Sequence, residues 1–442
     1  MISLGCAKNL VDAEIMLGSA AKAGFELTSE PDDADVLVVN TCGFIDSAKE
    51  ESIDAILNAR TREDQRLVVA GCLAQRHRRE LEQEIPEVDA FLGLDDVARA
   101  GEIFVDLLAG AQGPSLLRGR SRYIPDYDTP RFRLTPPHTA YVKIAEGCNH
   151  PCSFCVIPQM RGRHRSRTIS SVTEEVRVLV ESGVKEINLI SQDTTYFGMD
   201  LWEKKAGPRQ PVDPERGPTL AGLLDKLGAI KGDFWVRLLY THPAHWGDSL
   251  IDAIARNPHI VRYIDMPLQH IHPDMLLSMR RETSRQHIED LIAKLRARLP
   301  GLAIRTTFIV GFPGESDTHF ESLLEFIQTT RFERLGVFKY SREDGSRAAK
   351  MEGQVPERIK NARLRAAMGE QQRIASEIAE AQIGQTLTVL ADTPLIGRTQ
   401  HDAPDVDCRV LFSNPVTVGT FVEARITGSN VYDLLAKADT SS

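Results

Sequence analysis

Residues 140–158 read AYVKIAEGCNHPCSFCVIP, and the reading of this stretch decides the fold. Its first seven residues form an apolar, aromatic and β-branched run of the kind that makes a buried strand. Gly147 breaks the run, and Cys148, Cys152 and Cys155 follow within eight residues. Five comparable runs come later, at KEINLIS (185–191), FWVRLLY (234–240), YIDMPLQ (263–269), AIRTTFIVG (303–311) and LGVFKYS (335–341). Helical patterns such as VTEEVRVLVESG and SRQHIEDLIAKLRARL separate them. Six βα units over 138–373 predict a partial (β/α)6 barrel rather than a full eightfold one. In such barrels chemistry sits beyond the C-terminal ends of the strands, where these three thiols fall.

Three thiolates leave two readings. A zinc knuckle closes its tetrahedron with a fourth Cys or His, and His150 is the nearby candidate. An inorganic cluster held by three cysteines keeps one coordination position open.

Upstream, ISLG (2–5), VLVVN (36–40) and LVVAG (67–71) alternate with helical segments. Strands that are apolar throughout imply a parallel sheet covered on both faces, so residues 1–110 are expected to form a doubly wound α/β domain. Only Met1 and Ile2 precede SLGC, so its first strand is expected to be short. Cys6, Cys42 and Cys72 each come directly after one of these strands. Strand C-termini share one edge of a parallel sheet. Neighbouring strands lie about 4.8 Å apart, so the three thiols can converge within roughly 10 Å. Each is followed by a helix start, whose dipole favours a thiolate or an anionic cluster. The alternative is three small buried cysteines of the core.

Residues 111–137 are rich in proline, glycine and charge and are expected to be a linker. Residues 197–218 look like a loop insertion, and a long helix is expected over 356–384. The last part, 374–442, turns to short strands (TLTVLAD, CRVLF, TFVEARITGS, NVYDLLAKA) and predicts a small all-β barrel. Cys408 falls there as a small buried side chain.

The 442-residue chain carries a net charge of −9, with a pI near 5.8. Its seven cysteines are odd in number and sparse, which argues for reduced thiols rather than a disulfide framework. There is no secretory signal pattern and no apolar run of membrane-spanning length, so a cytoplasmic location without a membrane partner is expected. Over 374–442, nine acidic residues face four basic ones, a net of about −5. A domain that grips phosphates is expected to be basic. The loop GRTQHDAPDVD (397–407) concentrates the acidity in Asp402, Asp405 and Asp407. Against this stands the run Arg161, Arg163, Arg165 and Arg167, suited to RNA, to a cofactor carboxylate or to domain packing.

The CxxxCxxC spacing, with Phe154 before its last cysteine, resembles the radical S-adenosylmethionine (SAM) enzymes. The resemblance implies that Cys148, Cys152 and Cys155 hold three irons of a 4Fe–4S cluster whose fourth iron binds SAM. One-electron reduction then cleaves SAM to a 5′-deoxyadenosyl radical. It further implies a SAM contact at Gly311 and Gly314 of TFIVGFPGE (307–315), with Gln269 and Arg237 as polar groups at strand ends that serve either SAM or the fold.

SLGCAKNLVDAE (3–14), NTCGFIDSAKEES (40–52), AGCLAQR (70–76) and MRGRHRSR (160–167) narrow the likeness. With a terminal TRAM-like barrel, the chain resembles the methylthiotransferases, and HDAPDVD resembles their ribosomal-protein branch, the RimO type. That implies a second 4Fe–4S cluster on Cys6, Cys42 and Cys72, a second SAM as methyl donor, and an electron donor such as flavodoxin or ferredoxin. The implied substrate is an aspartate of a basic small-subunit ribosomal protein, with the tRNA-modifying branch as the alternative enzyme. A non-catalytic iron–sulfur protein is the alternative of another class.

Overall fold

The structure is a computed structural model that describes residues 1–111 and 120–438. Residues 112–119, inside the expected linker, and 439–442 lie outside the described residues.

The N-terminal sheet has four parallel strands, β1 (Ile2–Ser3), β2 (Val36–Thr41), β3 (Arg66–Gly71) and β4 (Ala90–Leu92), in that spatial order. Their uniform apolarity is explained by burial on both faces. Leu37, Val39, Leu67 and Val69 pack against α2 (Asp46–Leu57) and α3 (Cys72–Glu84) through Ile56, Leu73 and Leu81. Val38, Val68 and Ala70 face α1 (Ala7–Lys22) and α4 (Ala100–Leu108) through Val11, Ile15 and Phe104. The strand order has no reversal, so no switch-point crevice forms inside the sheet. Its C-terminal edge meets the next domain instead.

That domain is a six-stranded parallel sheet built from β5 (Thr139–Lys143), β8 (Glu186–Ile190), β9 (Trp235–Leu238), β10 (Ile260–Asp265), β11 (Ala303–Val310) and β12 (Arg334–Lys339), side by side in chain order. Two short strands, β6 (Ala145–Glu146) and β7 (Arg165–Ser166), pair beyond the end of β5. The outer face is apolar and covered by helices: α6 (Ile169–Glu181), α7 (Leu220–Gly228), α8 (Asp248–Arg256), α10 (Arg285–Arg298), α11 (Asp317–Thr330) and α12 (Glu357–Glu380). Shorter helices α5 (Ile157–Met160) and α9 (Pro273–Ser278) flank the cysteine loop. The inner face alternates with the outer one, as strand geometry requires. It carries Tyr141, Lys143, Glu186, Arg237, Tyr263 and Asp265, all buried. Helix α1 and the loop around Ala403 close over that face.

Helix α12 runs across residue 374 to Glu380, and the strands of the terminal unit begin at Thr386. This unit is a closed barrel of β13 (Thr386–Thr393), β14 (Ile396–Thr399), β15 (Val410–Phe412), β16 (Phe421–Asn430) and β17 (Asp433–Ala438). Strand β14, IGRT, has too little apolar patterning to show in the sequence, yet it supplies the pairing between β13 and β15. The 197–218 insertion is ordered around Met199 and Trp202, both buried. Described linker residues pack too: Arg131 pairs with the buried Glu14 at 2.5 Å. No helix among the described residues is long and apolar enough to cross a membrane.

Candidate iron–sulfur and substrate site

The loop after β6 turns at Gly147, with φ +84°. A Cβ there would lie 2.3 Å from the Arg163 carbonyl oxygen, so only glycine lets the loop fold back this tightly. Cys148 N–H donates to the Gly162 carbonyl, and Cys155 N–H to that of Cys152. The three thiols are half-buried and free. Burial, then the nearby Asp193 and the two other thiols, push Cys148 far up, and burial and Cys152 push Cys155 up to about 12. A nearby positive charge counters this rise for Cys148 and Cys155. Arg281 supplies part of it, with Nη1 3.5 Å from the Cys152 sulfur and Nη2 bonded to the Pro267 carbonyl.

His150 is not a fourth ligand. Its Nε2 lies 2.7 Å from Asp193 and its Nδ1 bonds Glu282, while its ring stacks on His242 at 3.7 Å. Two carboxylates outweigh the burial of the ring and raise its pKa to about 9. His150 pins the loop from behind.

The second trio assembles at the C-terminal edge of the N-terminal sheet, beside the domain boundary. Gly5 approaches Cys42 so closely that an added Cβ would lie 2.9 Å from the Cys42 Cβ. Cys72, the first residue of α3, is buried, Cys42 half-buried and Cys6 open to solvent. Arg161, from the barrel, reaches into this group. It donates to Asn9 at 2.6 Å, Asp12 at 3.0 Å, both Glu146 oxygens at 3.0 Å and the Cys72 sulfur at 3.3 Å. Burial pushes the Cys72 thiol up to about 12 and also raises Cys42. Burial acts on Cys6 in the same sense, but the Lys8 and Arg161 charges outweigh it and leave that thiol below its ordinary value.

Among the described residues, neither trio places all three sulfurs within 4.8 Å of one another. Thiolates on one zinc, with Zn–S bonds of about 2.3 Å, sit about 3.8 Å apart. The wider spread does not match one closed zinc site.

Beside Cys6 opens a cavity of about 480 Å³ lined by Leu10, Tyr240, Tyr263, Asp265, Arg305 and Asp405, among others. It is bounded by all three domains. The acidic terminal loop forms one wall, but not as the sequence suggests. Asp402 is buried and bonds Arg334 Nε at 3.0 Å and Thr399 Oγ1 at 2.6 Å. Asp407 accepts from the Tyr263 hydroxyl at 2.6 Å and lies 3.4 Å from Arg305. These two anchor the loop to the barrel and are not presented to a partner. Asp405 alone of the three is exposed, with φ +66°.

Arg237 sits on the inner face of the barrel. It is fully buried, bonds Glu186 at 2.8 Å and the Gln400 carbonyl at 2.7 Å, and stacks on Tyr263. It joins the barrel to the terminal loop, because strand alternation aims it at the inner face below the cysteines. Gly311 is a structural turn: its N–H bonds Glu315, and a Cβ would strike Lys360. Gly314 has open space around it. Gln269 sits at φ +75° on the segment that Arg281 ties to Cys152. Phe154 packs with Met275, Met279, Phe312 and Tyr340 beside the loop. Of the arginine run, Arg161, Arg165 and Arg167 are spent on internal bonds, to Tyr123 and Glu175 among others, and Arg163 is exposed. Sequence reasoning did not find Lys8, Arg281 or Glu146, which have no spacing signal and acquire meaning only from what they approach.

The match to known families follows the same divisions. Residues 1–93 match the Uncharacterized protein family UPF0004, 142–327 the Radical SAM superfamily and 383–438 the TRAM domain. The chain is 56% identical to the ribosomal protein uS12 methylthiotransferase RimO of Opitutus terrae, over 99% of this chain and 95% of the relative. It is 51% identical to that of Akkermansia muciniphila, over 99% of both. The chain belongs to the RimO family. Among solved structures, the radical SAM methyltransferase TsrM of Kitasatospora setae shares the fold, with a TM-score of 0.52 at 15% identity, covering 75% of this chain and 70% of that one. The family's three domains are the three units whose junction holds the cavity at Cys6.

Proposed function

We propose that this chain is a radical-SAM methylthiotransferase that attaches a methylthio group to the β-carbon of an aspartate in ribosomal protein uS12. The observation that carries the reading is the full-length likeness to relatives of that name, at 51–56% identity. The geometry adds a cavity between domains that opens directly at Cys6.

Cys148, Cys152 and Cys155 would hold one 4Fe–4S cluster, and Cys6, Cys42 and Cys72 a second. When bound, these groups and SAM supply a carbon-centred radical, the sulfur and the methyl group, chemistry that no side chain provides. What this chain contributes is positioning and charge. Arg281 and Arg161 each place a guanidinium against one trio and offset its negative charge. Phe154, Gln269 and Gly314 are the proposed SAM contacts. Tyr240, Tyr263 and Leu10 narrow the cavity and exclude bulk water from the reacting carbon. Asp405, exposed at the rim, is the proposed point of attraction for a basic substrate segment. The reductant would be a small electron carrier such as flavodoxin or ferredoxin, in the cytoplasm where the substrate is made.

The test is anaerobic reconstitution with iron and sulfide, then reaction with SAM, reductant and either uS12 or tRNA, followed by mass spectrometry. One added methylthio group on a uS12 aspartate is expected. Methylthiolated tRNA with unmodified uS12 overturns the substrate, and no cleavage of SAM overturns the enzyme class.

A further inference from the structure

Lys8 occupies a costly position: its charge favours the Cys6 thiolate, but no carboxylate pairs with it. It is 7% exposed, and buried lysines are almost always paired. Among the described residues its ammonium makes no ion pair. Its recorded contact is the face of Tyr240, 2.8 Å from the ring centroid. Lys8 is also the second residue of α1, whose first turn holds no acidic residue, so its charge opposes the helix dipole.

The other buried cations around it are all committed. Lys143 pairs with Asp12 and Glu146, Arg161 with the same two carboxylates, and Arg305 with Asp265. Lys8 is the cation left over. It stands between Cys6 and Tyr240, two residues that line the cavity.

We infer that Lys8 binds the side-chain carboxylate of the substrate aspartate, and that it sets the preference for aspartate over its neutral amide. The inference rests on the proposed function. A carboxylate that enters a half-enclosed space needs a cation to replace its water, and Lys8 is the cation free to do so. The reacting β-carbon is bonded to the carboxyl carbon. An anchor on the carboxylate therefore holds the reacting atom one bond away, beside Cys6 and the second trio. Tyr240 confines the ammonium from its other side and limits its search.

The experiment compares wild type with Lys8→Met, both reconstituted, on uS12 and on uS12 carrying asparagine at the modified position. Methylthio product is read by mass spectrometry and 5′-deoxyadenosine by chromatography. Wild type is expected to prefer the aspartate substrate by about 30-fold or more and Lys8→Met by less than about threefold, the scale of losing one buried charge partner. Lys8→Arg should retain the preference, and Lys8→Gln should lose it, giving the same reading if the methionine variant folds poorly. A Lys8→Met enzyme that still makes methylthio product and still prefers aspartate overturns the inference alone. A wild type that leaves uS12 unmodified overturns the proposed function and this inference with it.

Discussion

The two cysteine trios hold three thiols each by opposite means. Cys148, Cys152 and Cys155 come from one eight-residue loop, closed by its own backbone hydrogen bonds and pinned from behind by His150 between Asp193 and Glu282. Cys6, Cys42 and Cys72 come from three strand ends, 36 and then 30 residues apart in sequence, and Arg161 of another domain reaches in among them. A loop of this kind survives small shifts of its surroundings, because its geometry is local. The second trio exists only while the sheet is in register and the two domains are docked.

That contrast can be broken in several ways. The largest effect is expected from Cys148→Ser: cleavage of SAM falls to background, and iron drops from about eight to about four per chain. Cys72→Ser should lose the same amount of iron and all methylthiolation while still cleaving SAM. Equal loss of SAM cleavage in both variants would erase the distinction between the sites.

Arg161→Met is next. Removing the cation leaves Asp12 and Glu146 buried with one partner fewer, at about 3–5 kcal/mol, read as a lower denaturant midpoint. Iron should be lost from the second trio before the first. Arg161→Lys should recover only part of this, because a point charge cannot reproduce the fork that spans Asp12, Glu146 and Cys72.

The smallest effects concern the terminal loop and separate its aspartates. Arg334 leads the interactions that hold the Asp402 pKa down against the cost of its burial. Since the folded value lies below the unfolded one, its contribution to stability is present above about pH 4 and lost as pH falls through the depressed value. Asp402→Asn should lower stability at neutral pH and flatten that acid-dependent loss, measured by unfolding across pH. Asp405→Asn should leave stability within about 0.5 kcal/mol and weaken binding of uS12 a few-fold, less so at high salt.

Much of this molecule was legible in its sequence. The βα alternation gave the number of barrel strands because parallel strands buried on both faces leave a run of apolar residues that little else produces. The terminal barrel was visible from four of its five strands, and β14 escaped because IGRT carries no alternation. The acidic loop was located correctly, but burial divided its charges: Asp402 and Asp407 met arginines of the barrel and Asp405 did not. For Arg237, strand alternation says that the side chain faces inward and not which depth or partner it meets.

The sequence by itself determined where the thiols lie along the chain, and that each follows a strand end or a tight turn, because strand periodicity and glycine turns are local properties. The tertiary structure decided what stands at the second trio: Arg161 across the domain boundary, the cavity at Cys6, and Lys8 as a buried cation without a salt bridge. Pairing is a matter of distance between residues far apart in the chain, and that distance is fixed only when the three domains close on one another.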